Sequence, residues 1–337
     1  MKIIITGGAG FIGSNFIRLL LSENPSIKIV NIDKLTYAGN LDNLNDINNH
    51  SGYSFIKADI VDTQTIEDIF AAGVDVVINF AAESHVDRSI SEPQNFIRTN
   101  ILGTEALLEA SLKYGINKFI QISTDEVYGS LGDTGNFSEN SPLEPNSPYS
   151  ASKAAADLLA RAYFQTYSLP VIITRSGNNY GPYQFPEKLI PLIITNLLEG
   201  KSIPIYGNGQ YIREWIHVAD HCRAIYSILT YGKPGEIYNI GSGYETTNLE
   251  IAKFILREMG LSSESRISFI KDRPGHDYRY AMDCTKLMRE FEWKPEIDFI
   301  AGIRKTIRWY QENQSWWQKI KNGEYRNYYK KMYETQQ

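Results

Sequence analysis

The stretch Gly7-Gly8-Ala9-Gly10-Phe11-Ile12-Gly13 decides the fold of this 337-residue chain. It follows the apolar run 3–6 and opens a segment, 11–21, whose apolar residues have helical spacing. Spaced glycines between a strand and a helix permit a tight turn, a bare backbone that can approach a pyrophosphate, and close packing of the helix. The start of that helix presents free N–H groups to phosphate oxygens. The stretch therefore predicts a dinucleotide-binding unit.

An acidic residue stands where such a unit needs one. Asp33 ends the second predicted strand, 20 residues beyond Gly13. A carboxylate there accepts hydrogen bonds from the adenosine ribose and repels a 2′-phosphate, which favours NAD over NADP. Lys34 follows directly, and its positive charge argues in the other direction. The alternative for Asp33 is that it merely begins a turn. On balance the whole unit predicts NAD as the cofactor.

The ends of the next two strands carry residues suited to the same ligand. Asp59 and Ile60 follow the third strand, and Ala81 and Ala82 follow the fourth. The carboxyl ends of parallel strands meet at the ligand-binding edge of a doubly wound sheet. We expect the first two to border the adenine, and the two alanines are small enough to let a dinucleotide pass.

Short β-rich runs alternate with helical segments through the first half of the chain. The predicted strands are 3–6, 28–33, 54–57, 75–80, 118–123 and 171–175, and the helices between the later ones are 96–114 and 150–167. This alternation predicts an α/β fold with a Rossmann-type, doubly wound parallel sheet.

The regular alternation of predicted strands and helices ends after Arg175. The segment 178–186 is rich in Asn, Gly, Pro and Tyr and is predicted to be loop; helices are expected at 189–198 and 217–229 and strands at 203–206 and 236–240. We expect a Rossmann domain over 1–177, with 213–241 returning to it. A smaller C-terminal α+β substrate domain is then expected over 178–212 and 242–337.

Composition narrows the class of protein. The net charge is −5 and the two signs are interspersed, which argues against a nucleic-acid-binding face. Two cysteines, Cys222 and Cys284, make neither a disulfide scaffold nor a zinc site, and no metal is expected. No apolar run approaches the roughly 20 residues that span a bilayer. We expect a cytoplasmic protein without membrane association.

Tyr149-Ser-Ala-Ser-Lys153 begins the helix after Pro148. The i, i+4 spacing puts Tyr149 and Lys153 on one helix face. A free tyrosine has a pKa of about 10. A nearby ammonium and an oxidised nicotinamide would lower that pKa, so that Tyr149 could act as a base. Alone this pair is often accidental, but downstream of the glycine loop it predicts an oxidoreductase step.

Two adjacent acids end the fifth strand, in Ser123-Thr124-Asp125-Glu126. Thr124 stands where it can hydrogen-bond a reacting oxygen. One carboxylate at such a place is explained by a surface turn. Two, beside a threonine and before an apolar residue, predict acid–base chemistry in a cleft.

Taken together, these motifs resemble the dTDP-glucose 4,6-dehydratases, which belong to the extended short-chain dehydrogenases. The resemblance runs from Lys2 to about Trp309. Besides the stretches above, it rests on Asp33-Lys-Leu-Thr-Tyr-Ala-Gly39, Ala81-Ala-Glu-Ser-His-Val-Asp-Arg-Ser89, Asn178-Asn-Tyr-Gly-Pro182, Glu187-Lys-Leu-Ile-Pro191, Arg213-Glu-Trp-Ile-His-Val-Ala-Asp-His221 and Arg273-Pro-Gly-His-Asp-Tyr-Arg279.

The resemblance implies three steps on dTDP-glucose, a substrate of dTDP-rhamnose and deoxysugar biosynthesis. Tyr149 is the base for oxidation at C4 by NAD, with Lys153 and Thr124 beside it. Glu126 then removes the C5 proton while Asp125 protonates the leaving C6 hydroxyl. Elimination next to a ketone independently requires one base and one acid. Return of the hydrogen to C6 regenerates NAD.

The resemblance also implies the residues of each subsite. The positions expected to bind cofactor are Gly7, Gly10, Phe11, Ile12, Gly13, Asp33, Lys34, Thr36, Asp59, Ile60, Ala81, Ala82, Ser84, Thr99, Tyr149, Lys153 and Asn179. Those expected to bind substrate are Ser84, Thr124, Asn178, Lys188, Leu189, Pro204, Tyr206, Arg213, Asn248, Arg273, His276 and Tyr278. Planar guanidinium groups suit a pyrophosphate, and the apolar residues around Arg213 predict that it is partly buried.

Other readings stay open from residues alone. A 4-epimerase, a UDP-glucuronate decarboxylase or a dehydratase for a CDP- or GDP-sugar would share this fold, although the acid pair argues against the epimerase. A redox-sensing Rossmann protein would not need the tyrosine–lysine pair. The aromatic and basic tail from Trp316 is predicted to pack as a helix with a solvated basic face rather than to bind nucleic acid. The resemblance further implies a homodimer, with Leu107, Leu108, Leu158 and Leu159 as candidates for an outward apolar stripe.

Overall fold

The computed structural model describes residues 1–261, 264–323 and 329. The strands, numbered in chain order, are β1 Lys2–Thr6, β2 Lys28–Asp33, β3 Tyr53–Lys57, β4 Val76–Asn79, β5 Lys118–Thr124, β6 Val171–Ser176, β7 Asn178–Tyr180, β8 Ile203–Tyr206, β9 Ile212–His217, β10 Ile237–Ile240, β11 Glu245–Thr247 and β12 Ile267–Ile270.

The helices are numbered in the same way. They are α1 Phe11–Glu23, α2 Thr63–Ala71, α3 Val86–Ser91, α4 Pro93–Phe96, α5 Thr104–Tyr114, α6 Pro148–Tyr167, α7 Leu189–Leu198, α8 Val218–Tyr231, α9 Asn248–Glu258, α10 Thr285–Phe291, α11 Phe299–Glu312 and α12 Gln314–Asn322. Among the described residues, no helix is both long and apolar enough to cross a membrane, and no cluster of three or more metal-ligating side chains occurs.

Seven parallel strands form the central sheet, in the order β3-β2-β1-β4-β5-β6-β10. The inner strands are apolar and buried along their length because helices cover both faces of the sheet. The predicted Rossmann-type, doubly wound sheet is thus confirmed. The strand order reverses between β1 and β4, which opens a crevice at their carboxyl ends.

The segment 178–186 differs from the prediction that it is all loop. Asn178–Tyr180 forms β7, which pairs in parallel with β9 through Asn178 and Trp215. With β11 these strands make a separate three-stranded sheet. Asparagine has little intrinsic preference for strands, so pairing with β9 decides the conformation here.

The predicted helix 96–114 is divided. Residues 97–103 form a π-helical segment between α4 and α5. Within it, Thr99 lines the dinucleotide cavity. The amide of Asn100 is bonded to the backbone of Glu83, accepting from its N–H at 2.9 Å and donating to its carbonyl at 3.0 Å. The wider turn therefore fixes the loop that follows β4.

The return of the chain to the central sheet is shorter than the predicted 213–241. β10 pairs with β6, and α8 packs against α1. β9, which was expected in the same unit, instead pairs with β7 and β11. α10 also packs against β10 and α8, although it was expected in the other domain. A second apolar core includes Ile193 of α7 and Ile255 of α9.

Of the four leucines predicted to form an outward apolar stripe, three are not exposed. Leu107 and Leu108 are fully buried in the core between the sheet, α2 and α6, and Leu159 packs against the same core. Leu158 is exposed, as are Ile97 and Leu102 on the neighbouring segments.

The basic face predicted for the tail is only partly solvated in the portion that the structure describes. Lys319 of α12 is exposed and pairs with Asp42 at 2.6 Å. Lys321 is instead buried, with its Nζ 2.8 Å from a carboxylate oxygen of Glu199. Arg326, Lys330 and Lys331 lie outside the described residues.

Candidate active site

The glycine loop is shaped by close backbone contacts. Gly7 has φ +67°, and a Cβ on it would lie 2.6 Å from the backbone nitrogen of Ala81. A Cβ on Gly13 would lie 2.6 Å from the carbonyl oxygen of Gly7. Gly10 is less crowded within the protein but lines the cavity, so its bare backbone faces the ligand space. Helix α1 begins there without a side-chain cap or an acid in its first turn, which leaves its N–H groups free for phosphate oxygens.

Asp33 is a buried carboxylate at the end of β2. It accepts hydrogen bonds from the backbone N–H groups of Ala9 at 3.0 Å and Leu35 at 2.8 Å. Each oxygen keeps a second lone pair for a ribose hydroxyl. The ammonium of Lys34 is paired with Asp59 at 2.7 Å. The positive charge of Lys34, which could have favoured the 2′-phosphate of NADP, is therefore paired with a carboxylate. The residues fit NAD.

One cavity lies along the crevice and is lined from the residues after β3 to the end of β6. It is lined by every predicted cofactor position, which are Gly7, Gly10, Phe11, Ile12, Gly13, Asp33, Lys34, Thr36, Asp59, Ile60, Ala81, Ala82, Ser84, Thr99, Tyr149, Lys153 and Asn179. Thr124, Asp125 and Glu126 line the same cavity. The structure thus brings the expected cofactor and catalytic residues into one space.

Helix α6 carries the tyrosine and lysine. Its first turn is fixed by a capping box between Ser147 and Ser150, with Pro148 at the first position. Lys153 is buried, and its Nζ donates to the carbonyl oxygen of Ile122 at 2.6 Å. Burial lowers the pKa of Lys153 to about 8, against an opposing effect of Asp157.

The expected lowering of the pKa of Tyr149 is not found in the chain alone. Burial, with the nearby carboxylates of Glu126 and Asp125, raises the pKa of Tyr149. The expected lowering, by the Lys153 ammonium together with an oxidised nicotinamide, stays a prediction. Activation of Tyr149 as a base then needs a further positive charge, which an oxidised nicotinamide carries.

The acid pair lies at the carboxyl end of β5, in a short 3₁₀ helix capped by Thr124. Asp125 is buried, and one of its oxygens accepts from the Thr124 hydroxyl at 3.0 Å. Burial and the charge of Glu126 raise the pKa of Asp125 well above its ordinary value. Glu126 is half-buried, and burial raises its pKa while Arg273 and Arg213 oppose the change. Asp125 is thus suited to hold a proton and Glu126 to accept one.

A second cavity lies next to the first and is lined in part by residues of β8 and β9. Ten of the twelve predicted substrate positions line it, and an eleventh, Thr124, lines the first cavity. The ten are Ser84, Asn178, Lys188, Leu189, Pro204, Tyr206, Arg213, Asn248, Arg273 and His276. Glu126, Asn178 and Lys188 line both cavities, so the two spaces meet beside Glu126.

Buried polar atoms without partners mark the ligand space. In the described part of the chain, no hydrogen bond is made by Asp125 Oδ2, Asn178 Oδ1, Asn248 Oδ1 or Arg273 Nε. All four residues line one of the two cavities. Because buried polar groups are almost always satisfied, these atoms indicate where a polar ligand binds.

Three cationic side chains surround the second cavity. Arg213 is buried, as its apolar neighbours predicted, and stacks on the ring of Tyr280 with 4.5 Å between the guanidinium and the centroid. Lys188 donates to the carbonyl oxygen of Ser84 at 2.8 Å. Arg273 lies 3.5 Å from a carboxylate oxygen of Asp87. This concentration of positive charge suits a diphosphate.

Tyr278 lies outside both cavities. Its side chain is exposed, and its hydroxyl donates to Asp133 at 3.2 Å. The main chain at Tyr278 matters instead, because its carbonyl oxygen accepts from Arg213 at 3.3 Å.

Two buried acids of the site were missed from the sequence. Asp87 lines the second cavity and accepts from the Tyr206 hydroxyl at 2.9 Å while facing Arg273. Glu187 lies at the junction of the two cavities, 3.4 Å from Arg88. Both stand inside motifs already noted for the resemblance, and their position next to cationic residues was the available signal.

Comparison with known proteins identifies the family. The sequence model of the family described as GDP-mannose 4,6 dehydratase matches residues 4–306. The chain belongs to this family of nucleotide-sugar dehydratases.

Its full-length relatives narrow the assignment to the dTDP-glucose 4,6-dehydratases. The dTDP-glucose 4,6-dehydratase of Actinoplanes sp. is 50% identical over 322 residues, which cover 94% of this chain and 100% of that protein. The crystal structure of the Streptomyces venezuelae dTDP-glucose 4,6-dehydratase with NAD bound matches with a TM-score of 0.93 and 48% identity, covering 95% of this chain and 100% of that one. A UDP-glucose 4-epimerase from Thermotoga maritima shares the fold, with a TM-score of 0.86 and 30% identity over 93% of this chain and 100% of that one.

Proposed function

We propose that this protein is a dTDP-glucose 4,6-dehydratase, which converts dTDP-glucose into dTDP-4-keto-6-deoxyglucose and water with NAD recycled in each turnover. One observation carries the proposal. The acid pair Asp125–Glu126 and the pair Tyr149–Lys153 line one cavity that also contains the glycine loop. Oxidation alone needs only the second pair, whereas elimination of water needs the first as well.

NAD is the cofactor, and the glycine loop, Asp33 and the free start of α1 are the groups that hold it. Bound there, NAD would supply a hydride acceptor for C4 of the sugar and, once reduced, a hydride donor for C6. Lys153, held by the carbonyl of Ile122, keeps a positive charge beside the cofactor and Tyr149. Asp59 neutralises Lys34 and so favours a ribose without a 2′-phosphate.

The protein's own side chains carry four proton transfers. Tyr149 removes the proton of the C4 hydroxyl, and the 4-ketone that results acidifies the C5 proton. Glu126, half-buried and near Arg213 and Arg273, is the base that takes this proton. Asp125 supplies a proton to the C6 hydroxyl, because burial and the charge of Glu126 raise the pKa of its carboxyl and so favour the protonated form. Water then leaves, and a proton is later returned to C5.

The second cavity holds the nucleotide diphosphate. Arg213 and Arg273 bring charge and planar donors to it, and Lys188 adds a point charge at the junction with the first cavity. The unpaired amide oxygens of Asn178 and Asn248 are available to sugar hydroxyls or to the base. This arrangement puts the hexose between the diphosphate and the acid pair.

The substrate assignment is tested with a panel of nucleotide sugars. The protein is incubated with dTDP-, UDP-, CDP- and GDP-linked hexoses, and 4-keto-6-deoxy products are measured by mass, at 18 units less than the substrate since one water is lost. We expect turnover of dTDP-glucose at the highest kcat/KM. A preference for another nucleotide, or an epimer of unchanged mass, would contradict the proposal.

The finer properties of the protein follow from the same assignment. The step serves dTDP-rhamnose and other deoxysugar biosynthesis in the cytoplasm, where nucleotide sugars are made. The protein acts as a homodimer through the surface that carries the exposed side chains of Ile97, Leu102 and Leu158. Large apolar side chains on adjacent helices favour such a two-fold contact.

A further inference from the structure

The glycine loop is tied to the rest of the protein through the carbonyl of Ala9. That oxygen accepts two hydrogen bonds, one from the backbone N–H of Asn40 at 3.0 Å and one from the side-chain amide of Asn43 at 2.9 Å. Ala9 and Asn43 are both buried. The N–H of Ala9 donates to Asp33, so this peptide of the loop is held on both sides.

The orientation of the Asn43 amide is set from the far end of the chain. The indole Nε1–H of Trp316 donates to Asn43 Oδ1 at 2.9 Å. An indole is a donor only, so the oxygen of the amide must face Trp316. The NH₂ group is thereby turned toward the carbonyl of Ala9, which requires a donor.

Trp316 lies on α12, and contacts with other parts of the chain hold this helix in place. Its ring packs against those of Trp309, at 5.1 Å between centroids, and Tyr183, at 6.0 Å. Lys319, on the same helix, pairs with Asp42 at 2.6 Å. The C-terminal helix is therefore fastened to the 40–43 segment that supports the glycine loop.

We infer that Asn43 and Trp316 are positioning residues for the cofactor, holding the glycine loop in the shape that receives a pyrophosphate. The inference rests on the proposed binding of NAD at that loop. Neither side chain lines the cavity, so each acts through Ala9 and not by touching the ligand. The C-terminal helix of the smaller domain thus contributes to retention of the cofactor by the first domain.

The test measures how fast NAD leaves the holoenzyme. Wild type, Trp316→Phe and Asn43→Asp are loaded with radiolabelled NAD and diluted into excess unlabelled NAD. Trp316→Phe keeps the aromatic ring but removes the N–H, and loss of one neutral hydrogen bond predicts release about 2- to 10-fold faster. Asn43→Asp puts an oxygen against the Ala9 carbonyl and should release NAD faster still.

Trp309→Phe is the matched control. It shortens an indole in the same ring cluster that makes no hydrogen bond to Asn43, and it should release NAD within twofold of the wild-type rate. Equal release by Trp316→Phe and wild type, or equal acceleration in both tryptophan variants, would overturn the inference. Thermal unfolding of each holoenzyme separates a general loss of stability from a local one. A wild-type protein that retains no NAD would instead contradict the cofactor assignment on which the inference rests.

Discussion

Asp125→Asn is the substitution that most sharply divides the proposed steps. Asparagine has nearly the shape of aspartic acid but no acidic proton. In the structure Asp125 is 2% exposed, one oxygen is bonded to Thr124 at 3.0 Å, and the other has no partner in the described residues. Burial and the charge of Glu126 raise the pKa of Asp125 well above its ordinary value, which favours the protonated form that can give its proton to the departing hydroxyl.

The expected loss follows from removing a positioned general acid. Such a loss costs about 10²- to 10⁴-fold in rate. At about 1.4 kcal/mol for each factor of ten, this corresponds to roughly 3–5 kcal/mol in the barrier to elimination. The groups that serve oxidation, Tyr149 and Lys153, are unchanged. The variant should therefore oxidise its substrate and stall before water leaves.

The assay is absorbance of the reduced cofactor in a single turnover. Asp125→Asn should accumulate the reduced cofactor on addition of dTDP-glucose, and Glu126→Gln should do the same while losing exchange of the C5 proton with solvent. Tyr149→Phe should show no reduction. An early block in both Asp125→Asn and Tyr149→Phe would refute the division of roles, and normal turnover by Asp125→Asn would show that another group is the acid.

Three further predictions follow from the site and its surroundings. The rate should fall as pH rises through about 8, because Lys153, with its pKa lowered to about 8 by burial, then loses its positive charge; Lys153→Arg should lack this alkaline limb in a kcat profile. Wild type should bind NAD more tightly than NADP, and Asp33→Ala should bring the dissociation constants for NAD and NADP closer together. Equal affinities of the wild-type protein for the two cofactors would contradict this prediction. Leu158→Arg should yield monomers by light scattering at micromolar concentration, whereas the equivalent change at Tyr231, an exposed residue on α8, should leave the dimer intact.

The dinucleotide unit could be predicted because its parts are contiguous in the chain. A strand, the glycines and a helix follow one another, and Asp33 ends the next strand, so local pattern and spacing contain the information. The partner of Lys34 could not be found in this way. Asp59 reaches it only because β2 and β3 pair in the folded sheet.

Other properties depend on tertiary packing that no local pattern records. Tyr149 and Lys153 line the cavity, but the direction of the Tyr149 pKa shift depends on burial and on the carboxylates of Asp125 and Glu126. Leu107 and Leu108 have helical spacing that suits either face, and the packing of α2 and α6 on α5 buries them. Tyr278 was expected in the substrate cavity with its neighbours in sequence, yet its side chain turns to the surface beside Asp133.

The central claim is tested most directly by running the reaction on dTDP-glucose in deuterated water. Removal of the C5 proton by Glu126 and its later replacement from solvent predict a 4-keto-6-deoxy product with one deuterium at C5. Mass spectrometry and proton NMR of the product give both the loss of water and the position of the label. We expect dTDP-4-keto-6-deoxyglucose labelled once at C5, and formation of an unlabelled 4-epimer that retains its C6 hydroxyl would contradict the account.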